Sequence, residues 1–325
     1  MKRLFAAFAS LALAGCAATG PAPGGGVVKI TSLGSHDGEL CPLDRAIVFE
    51  DPDGTRILYD AGRTVRGPND PRLGRIDAIL LSHVHGDHLG DIIQPSANAG
   101  TCPKPDFSVS VTPNSNMVNI SLGKQAPMIV GGEFSFFLQA KVKALGGDPG
   151  KLVRLVRFGA QTMVGKVMVA GVPAVHSNGL PPAFLPPEQA RALEAAGLTA
   201  YVGEPGGFVL RFSNGLTAYL SGDTGITAEQ DLVVRGHYKA NLVVMNIGGF
   251  PFTTGPVESA YVVNELVRPS SVIATHVNEP ATVNGKLAPN TKTAAFVQAA
   301  KMPVHIPLSG KTMEFDGSGR CTAGC

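Results

Sequence analysis

The sequence predicts an α+β fold of layered strands and helices, and three observations carry that expectation. Short apolar or β-branched runs recur between turn residues in both halves of the chain. Segments with helix start and stop signals fall between the later strands, so strand groups with helices outside them fit a sandwich of two sheets flanked by helices. The 44% hydrophobic content over 325 residues is enough for one large core, and nothing between residues 28 and 316 reads as an interdomain linker. A single domain over residues 27–325 follows. Periodicity alone specifies only a mixed α and β layered fold, without strand order.

Residues 1–15 read as a targeting signal. Lys2 and Arg3 open it, residues 4–13 form an apolar core, and Leu13-Ala14-Gly15-Cys16 resembles a bacterial lipobox. The apolar run is too short to span a bilayer as a stable helix. Cys16 is then the lipidated N-terminus of the mature chain, and the Gly- and Pro-rich residues 16–26 are a tether that holds the domain off the membrane. Residue 17 is Ala and not Asp, which by resemblance to Gram-negative lipoproteins favours the outer membrane facing the periplasm. Removing Lys2 and Arg3 leaves 25 basic and 25 acidic residues, a balance that argues against a nucleic-acid partner.

Strands are expected at residues 27–33, 46–50 and 55–60, with Asp51-Pro52-Asp53-Gly54 as the turn between the last two. Residues 92–170 carry no assignment. Residues 208–212 and 216–220, joined across Ser213-Asn214-Gly215, form the clearest hairpin. Thr227-Ala228-Glu229-Gln230 resembles a capping box that opens a helix to about Arg235. A second helix follows Gly255-Pro256 and runs to about Val267, where Pro269 stops it. A third spans residues 291–300, before a strand at 304–308. No repeat of fixed period is present.

The chemistry concentrates in Leu80-Leu81-Ser82-His83-Val84-His85-Gly86-Asp87-His88, where an apolar run ends in three of the chain's eight histidines and an aspartate. Imidazole and carboxylate are ligands of zinc and similar divalent ions. His83 and His85, two apart, project to one side of an extended segment and can grip one ion. Gly86 is expected to permit the change of direction that sends Asp87 and His88 toward a neighbouring ion. Further ligand-type residues are then expected at the ends of later strands. The chain has His176 after Val172-Pro173-Ala174-Val175, Asp223 after residues 216–222, and His276 after residues 271–275. His36, His237 and His305 have no such support and read as ordinary residues.

On these residues the chain resembles the metallo-β-lactamase superfamily of metal-dependent hydrolases, in order over roughly residues 28–316. Asp60-Ala61-Gly62 after Ile57-Leu58-Tyr59 resembles its early strand and turn. Pro205-Gly206-Gly207-Phe208, Ser221-Gly222-Asp223-Thr224-Gly225 and Gly255-Pro256-Val257-Glu258-Ser259-Ala260 resemble the branch that contains ascorbate-6-phosphate lactonase. The resemblance names the fold as an αββα sandwich. It implies two divalent metal ions, one held by His83, His85 and His176, the other by Asp87, His88 and His276, with Asp223 bridging them. Zinc is the default, with manganese or iron open because carboxylates and water also suit harder ions.

The implied reaction is hydrolysis of a small-molecule substrate by metal-activated water, whose pKa falls from about 15.7 to about 7 on a dication. Asp87 is the candidate catalytic residue, orienting the nucleophile or receiving its proton. Asp60, Thr224 and Asn278 are candidates to orient the ligands. A lactone or related ester follows the nearest resemblance; a phosphodiester, a β-lactam, or a metal-binding lipoprotein without turnover are the alternatives. Residues 180–187 and 249–252 are apolar loops placed to choose the substrate. Cys41, Cys102, Cys321 and Cys325 read as structural disulfides, with three possible pairings. Cys41 with Cys102 and Cys321 with Cys325 is the pairing preferred here.

Overall fold

The computed structural model describes residues 25–90, 102, 115–180, 182, 185–249 and 252–325. The expected signal, Cys16, most of the tether, and Phe184 and Phe250 of the two apolar loops lie outside the described residues.

Two sheets dominate. The first contains β1 (Val28–Ser32), β2 (Ile47–Glu50), β3 (Arg56–Tyr59), β4 (Ala78–Leu80), β5 (Met128–Val130), β6 (Val153–Leu155), β18 (Thr312–Phe315) and β19 (Cys321–Ala323), in the spatial order β19-β18-β1-β2-β3-β4-β5-β6. The second contains β7 (Gln161–Val164), β8 (Val167–Pro173), β11 (Gly206–Arg211), β12 (Thr217–Leu220), β13 (Leu242–Asn246), β14 (Ser271–Thr275) and β17 (Val304–His305), in the order β17-β14-β13-β12-β11-β8-β7. Two-stranded ribbons, β9 (Gly179–Leu180) with β10 (Ala200–Tyr201) and β15 (Thr282–Val283) with β16 (Lys286–Leu287), complete the set among the described residues. Each sheet passes from antiparallel pairs to parallel ones, at β3 with β4 in the first and β12 with β13 in the second.

Alternation along the strands sorts the core into three layers. Ile47, Phe49, Ile57 and Tyr59 face the space between the sheets with Phe208, Leu210, Leu242 and Val244. Val48 and Leu58 point the other way, against Val118, Phe134 and Leu138 of the helices Asn116–Lys124 and Phe134–Ala144. Val243 and Met245 cover the opposite outer face with Val263 and Phe296. An αββα sandwich results, as expected. Each fully buried Ile or Phe in the middle layer contributes about 1.5–3 kcal/mol, and a one-residue slip would expose that set, so register is tightly held.

The predicted early strands and the hairpin are present, with Phe208 opposite Leu220. Other boundaries differ for local reasons. The Gln230 side chain accepts from Thr227 N at 3.1 Å, half of a capping box, but Thr227 Oγ1 has no hydrogen-bond partner and the helical segment Gln230–Arg235 is π-helical. The helix after Gly255 is α-helical over Pro256–Tyr261, becomes π-helical over Val262–Val267, and ends at Arg268 with φ 53°. Thr291 caps Lys292–Ala299 by accepting from Ala294 N. The expected strand at 304–308 is only β17, Val304–His305. Among its described residues the unassigned stretch supplies β5, β6, β7, the start of β8 and three helices; β5 and β6, three residues each, are too short to show a period. Disulfides join Cys41 to Cys102 and Cys321 to Cys325, the preferred pairing.

Candidate metal centre

All seven expected ligands lie just beyond strand ends. After β4, Leu81 and Ser82 lead to His83, and His85 stands extended at the start of the short helix Gly86–Leu89, which carries Asp87 and His88. The chain changes direction between extended His85 and helical Gly86, without a left-handed conformation at Gly86. The left-handed residue is Gly90, φ 78°, which ends the helix after Leu89 and whose N–H donates to Gly86 O; a Cβ there would collide with Gly62 O and Asn116. His176 follows β8, Asp223 follows β12 across Ser221-Gly222, and His276 follows β14 with φ 53°, a conformation costly for a non-glycine residue.

The structure brings these side chains together in two groups. His85 Nδ1 lies 3.0 Å from His83 Nε2 and 3.1 Å from His176 Nε2, and Asp223 Oδ2 lies 3.8 Å and 3.5 Å from the same two Nε2 atoms. In the second group Asp87 Oδ2 is 3.6 Å from both His88 Nε2 and His276 Nε2. Asp223 joins the groups: Oδ1 is 3.3 Å from His88 Nε2 and Oδ2 is 2.9 Å from His276 Nε2. His83, His88, Asp223 and His276 are buried, yet His88 Nε2, His276 Nε2 and Asp223 Oδ1 have no hydrogen-bond partner. Buried polar atoms are rarely left so. Imidazole and carboxylate atoms converging in this way are a donor set that fits divalent ions.

Neighbouring hydrogen bonds fix the orientation of this set. Asp60 Oδ2 lies 2.7 Å from His88 Nδ1 and accepts from Ser82 Oγ, while Oδ1 accepts from Ser82 N. Thr224 accepts from Val175 N, bracing the backbone before His176. Asn278 accepts from Arg45 Nη2 at 3.0 Å, and Arg45 Nε donates to Asp87 Oδ2 at 3.0 Å. Arg45, with a side chain 2% exposed, and Ser82 are the residues that the motif reading missed. Arg45 meets Asp87 across 42 residues, so no local spacing announces it. Among the other histidines, His237 packs on Tyr238 and His305 on Phe315, and His36 is buried outside the cavity lining.

Charge follows from burial and proximity. Burial, with His88 beside it, pushes His83 well below the ordinary imidazole range, and burial brings His176 down to about 4. Both are neutral at pH 7 and keep a lone pair, as ligands must. Burial opposes ionisation of Asp223, but His276 and His88 hold it well below the usual carboxylate range. For His88, burial is outweighed by Asp223, Asp87 and Asp60, which raise it. The carboxylates thus demand positive charge between them. Above them opens a cavity of about 270 Å³ lined by Leu43, Arg63, Phe252 and Asn278 together with His85, Asp87, His176, Asp223 and His276. Phe252, 57% exposed, stands at its rim and does not pack into the core.

The beta-lactamase superfamily domain family matches residues 55–277, from the residue before β3 to the residue after His276. The chain belongs to this superfamily. A UPF0173 metal-dependent hydrolase of Cupriavidus necator is 31% identical over 277 residues, 81% of each chain. Another, of Thermodesulfovibrio yellowstonii, is 28% identical over 273 residues, 82% of this chain and 88% of that one. Among solved structures, Igni18, a metallo hydrolase of Ignicoccus hospitalis, aligns with TM-score 0.58 and 19% identity over 90% of this chain and 99% of its own. The isothiocyanate hydrolase from Delia radicum gut bacteria aligns with TM-score 0.53 and 16% identity over 89% and 99%. These structural likenesses show the shared fold. With its relatives, this superfamily member is an enzyme of the metal-dependent hydrolase class.

Proposed function

We propose that the enzyme holds two divalent ions, zinc by default, and hydrolyses a lactone or related ester. His83, His85 and His176 would hold one ion, Asp87, His88 and His276 the other, and Asp223 both. The observation that carries this reading is the set of buried, unpartnered atoms on His88, His276 and Asp223, which face one another across the junction of the two groups. When bound, the ions supply a polarised substrate oxygen and a water acidic near neutral pH. The chain's own residues do the rest. Asp60 takes His88 Nδ1, leaving Nε2 directed inward. Arg45 holds Asp87 Oδ2, so that the Asp87 carboxylate borders the cavity as the group to orient the nucleophile or hold its proton. Leu43 and Phe252 line an apolar wall suited to the non-polar part of a compact substrate.

A lactone is favoured because the three glycine-rich turns that resemble the lactonase branch border the site: Gly206 N donates to Ser82 O, Gly222 N to Tyr59 Oη, and Gly255 lines the groove beside Phe252. The test is turnover against lactones, phosphodiesters and β-lactams, using chelator-stripped and zinc-reloaded protein. Lactone hydrolysis lost on stripping and restored on reloading is expected. Turnover of phosphodiesters or β-lactams alone would reassign the substrate, and metal uptake with no turnover would make the chain a metal-binding lipoprotein. The proposal extends to location: Cys16 anchors the protein to the outer membrane, facing the periplasm. Cys16→Ser should move it to the soluble fraction; an unchanged membrane distribution would refute the anchor.

A further inference from the structure

A second cluster of metal-ligating side chains lies on elements that contribute none of the seven expected ligands. His305 sits on β17, the edge strand of the second sheet, and Cys321 opens β19, the edge strand of the first. Together with Cys325 they place one nitrogen and two sulfur atoms within 4.8 Å of one another. The His305 ring packs edge-on against Phe315, 5.5 Å between centroids, and its Nε2 is buried without a hydrogen-bond partner. Burial lowers the His305 pKa, so the imidazole is neutral and its lone pair free. Cys321 packs partly against the core between the sheets and Cys325 is exposed, which leaves their disulfide open to attack. Among the described residues no histidine joins Cys41 and Cys102 in this way.

We propose that, once its disulfide is reduced, the Cys321–Cys325 pair joins His305 to form a separate site for one thiophilic divalent ion of the zinc type. Reduction needs a dithiol. Its first thiolate attacks one sulfur of the disulfide and expels the other cysteine as a thiolate, and its second thiolate attacks the resulting mixed disulfide and expels the remaining cysteine, so two electrons and two protons pass to the cysteines and the dithiol becomes a disulfide. Metal binding then expels the two thiol protons, leaving two thiolates and one imidazole as ligands and a fourth position for water. The ion would tie the edges of the two sheets together, and the oxidised pair cannot bind it. The device is a redox-gated clamp.

The probe is Cd²⁺, whose bonds to thiolate give an ultraviolet charge-transfer band that a histidine and carboxylate centre lacks. The full chain carrying Cys41→Ser/Cys102→Ser, so that reduction does not also free that second pair of thiols, is reduced with a dithiol, freed of reductant without air, and titrated. The further variants are made in that background. One equivalent of Cd²⁺ should saturate the band in reduced protein, with no band in oxidised protein. The band should vanish in reduced Cys321→Ser/Cys325→Ser, and His305→Ala should weaken Cd²⁺ binding more than about tenfold, since even an outer partner of a ligand is worth that. Hydrolase turnover should be unchanged in every variant. Absence of the band in the reduced chain, its survival in the double variant, or undiminished affinity in His305→Ala would each overturn the proposal. Should the double variant fail to fold, Cys325→Ser, at an exposed position, carries the same test.

Discussion

Asp223 reaches both groups: Oδ1 faces His88, and Oδ2 faces His83 and His176 of the first group and His276 of the second. Asn offers one neutral oxygen and no compensating charge in nearly the same volume. Asp223→Asn should therefore lower turnover on the order of 100-fold or more while thermal unfolding changes little. Initial rate, metal content and unfolding of one sample check this, and near-normal turnover would remove the bridging role. Arg45 acts through Asp87. Arg45→Lys keeps the charge but loses the fork that reaches both Asp87 and Asn278. A fall in turnover of about tenfold or more, with loss of metal from one site before the other, is the expected result. At this scale the converging histidines and aspartates were readable because residue type and spacing reveal them. Arg45 was not, because a buried guanidinium is assigned by its partner, and the chain brings that partner from 42 positions away.

Loops between elements hold these residues in place, and two of them invite a test. Gly222 joins β12 to Asp223 with φ 60°, and a Cβ there would stand 2.6 Å from Gly206 O. Gly222→Ala should cost about 1–3 kcal/mol, read by denaturant unfolding, and lower turnover by shifting Asp223. Asp44, just before Arg45, accepts from Ser35 N at 2.8 Å and Cys41 N at 2.9 Å, yet burial pushes its pKa up from 3.8 to about 6. Between those values the folded chain keeps the proton that the unfolded chain has lost, so this stabilisation is present below pH 3.8 and lost as pH rises through 6. Relative to Asp44→Asn, the wild-type unfolding free energy should fall by about 3 kcal/mol across that window; a pH-independent difference would contradict the assignment. Elements that read as apolar runs bounded by turn residues, such as β2, β3 and the β11–β12 hairpin, were legible in sequence. β5 and β6 were not, since three residues carry no period and their strand character comes from neighbours, and the strand that holds β17 was expected three residues too long.

Across the whole molecule the disulfides differ in what they constrain. Cys41 and Cys102 are separated by 61 residues, whereas Cys321 and Cys325 are separated by 4. Loop-closure entropy then predicts about 4 kcal/mol for the first and about 2 kcal/mol for the second. Guanidinium unfolding of Cys41→Ser/Cys102→Ser beside Cys321→Ser/Cys325→Ser should give that order, and the reverse would show that native-state strain decides. The matching change from antiparallel to parallel pairing in the two sheets is likewise a property of the assembled molecule, invisible in residues that share no repeat. By itself the sequence determined the layered α+β class, the family resemblance and the set of histidines and aspartates expected to meet, because hydrophobic period and donor type are local and survive without a fold. Only the tertiary structure decided the strand order, the pairing of Arg45 with Asp87, the junction at Asp223 and the meeting of His305 with two cysteines. Each depends on which distant segments the packed core brings within a few ångströms, and local spacing holds no record of that.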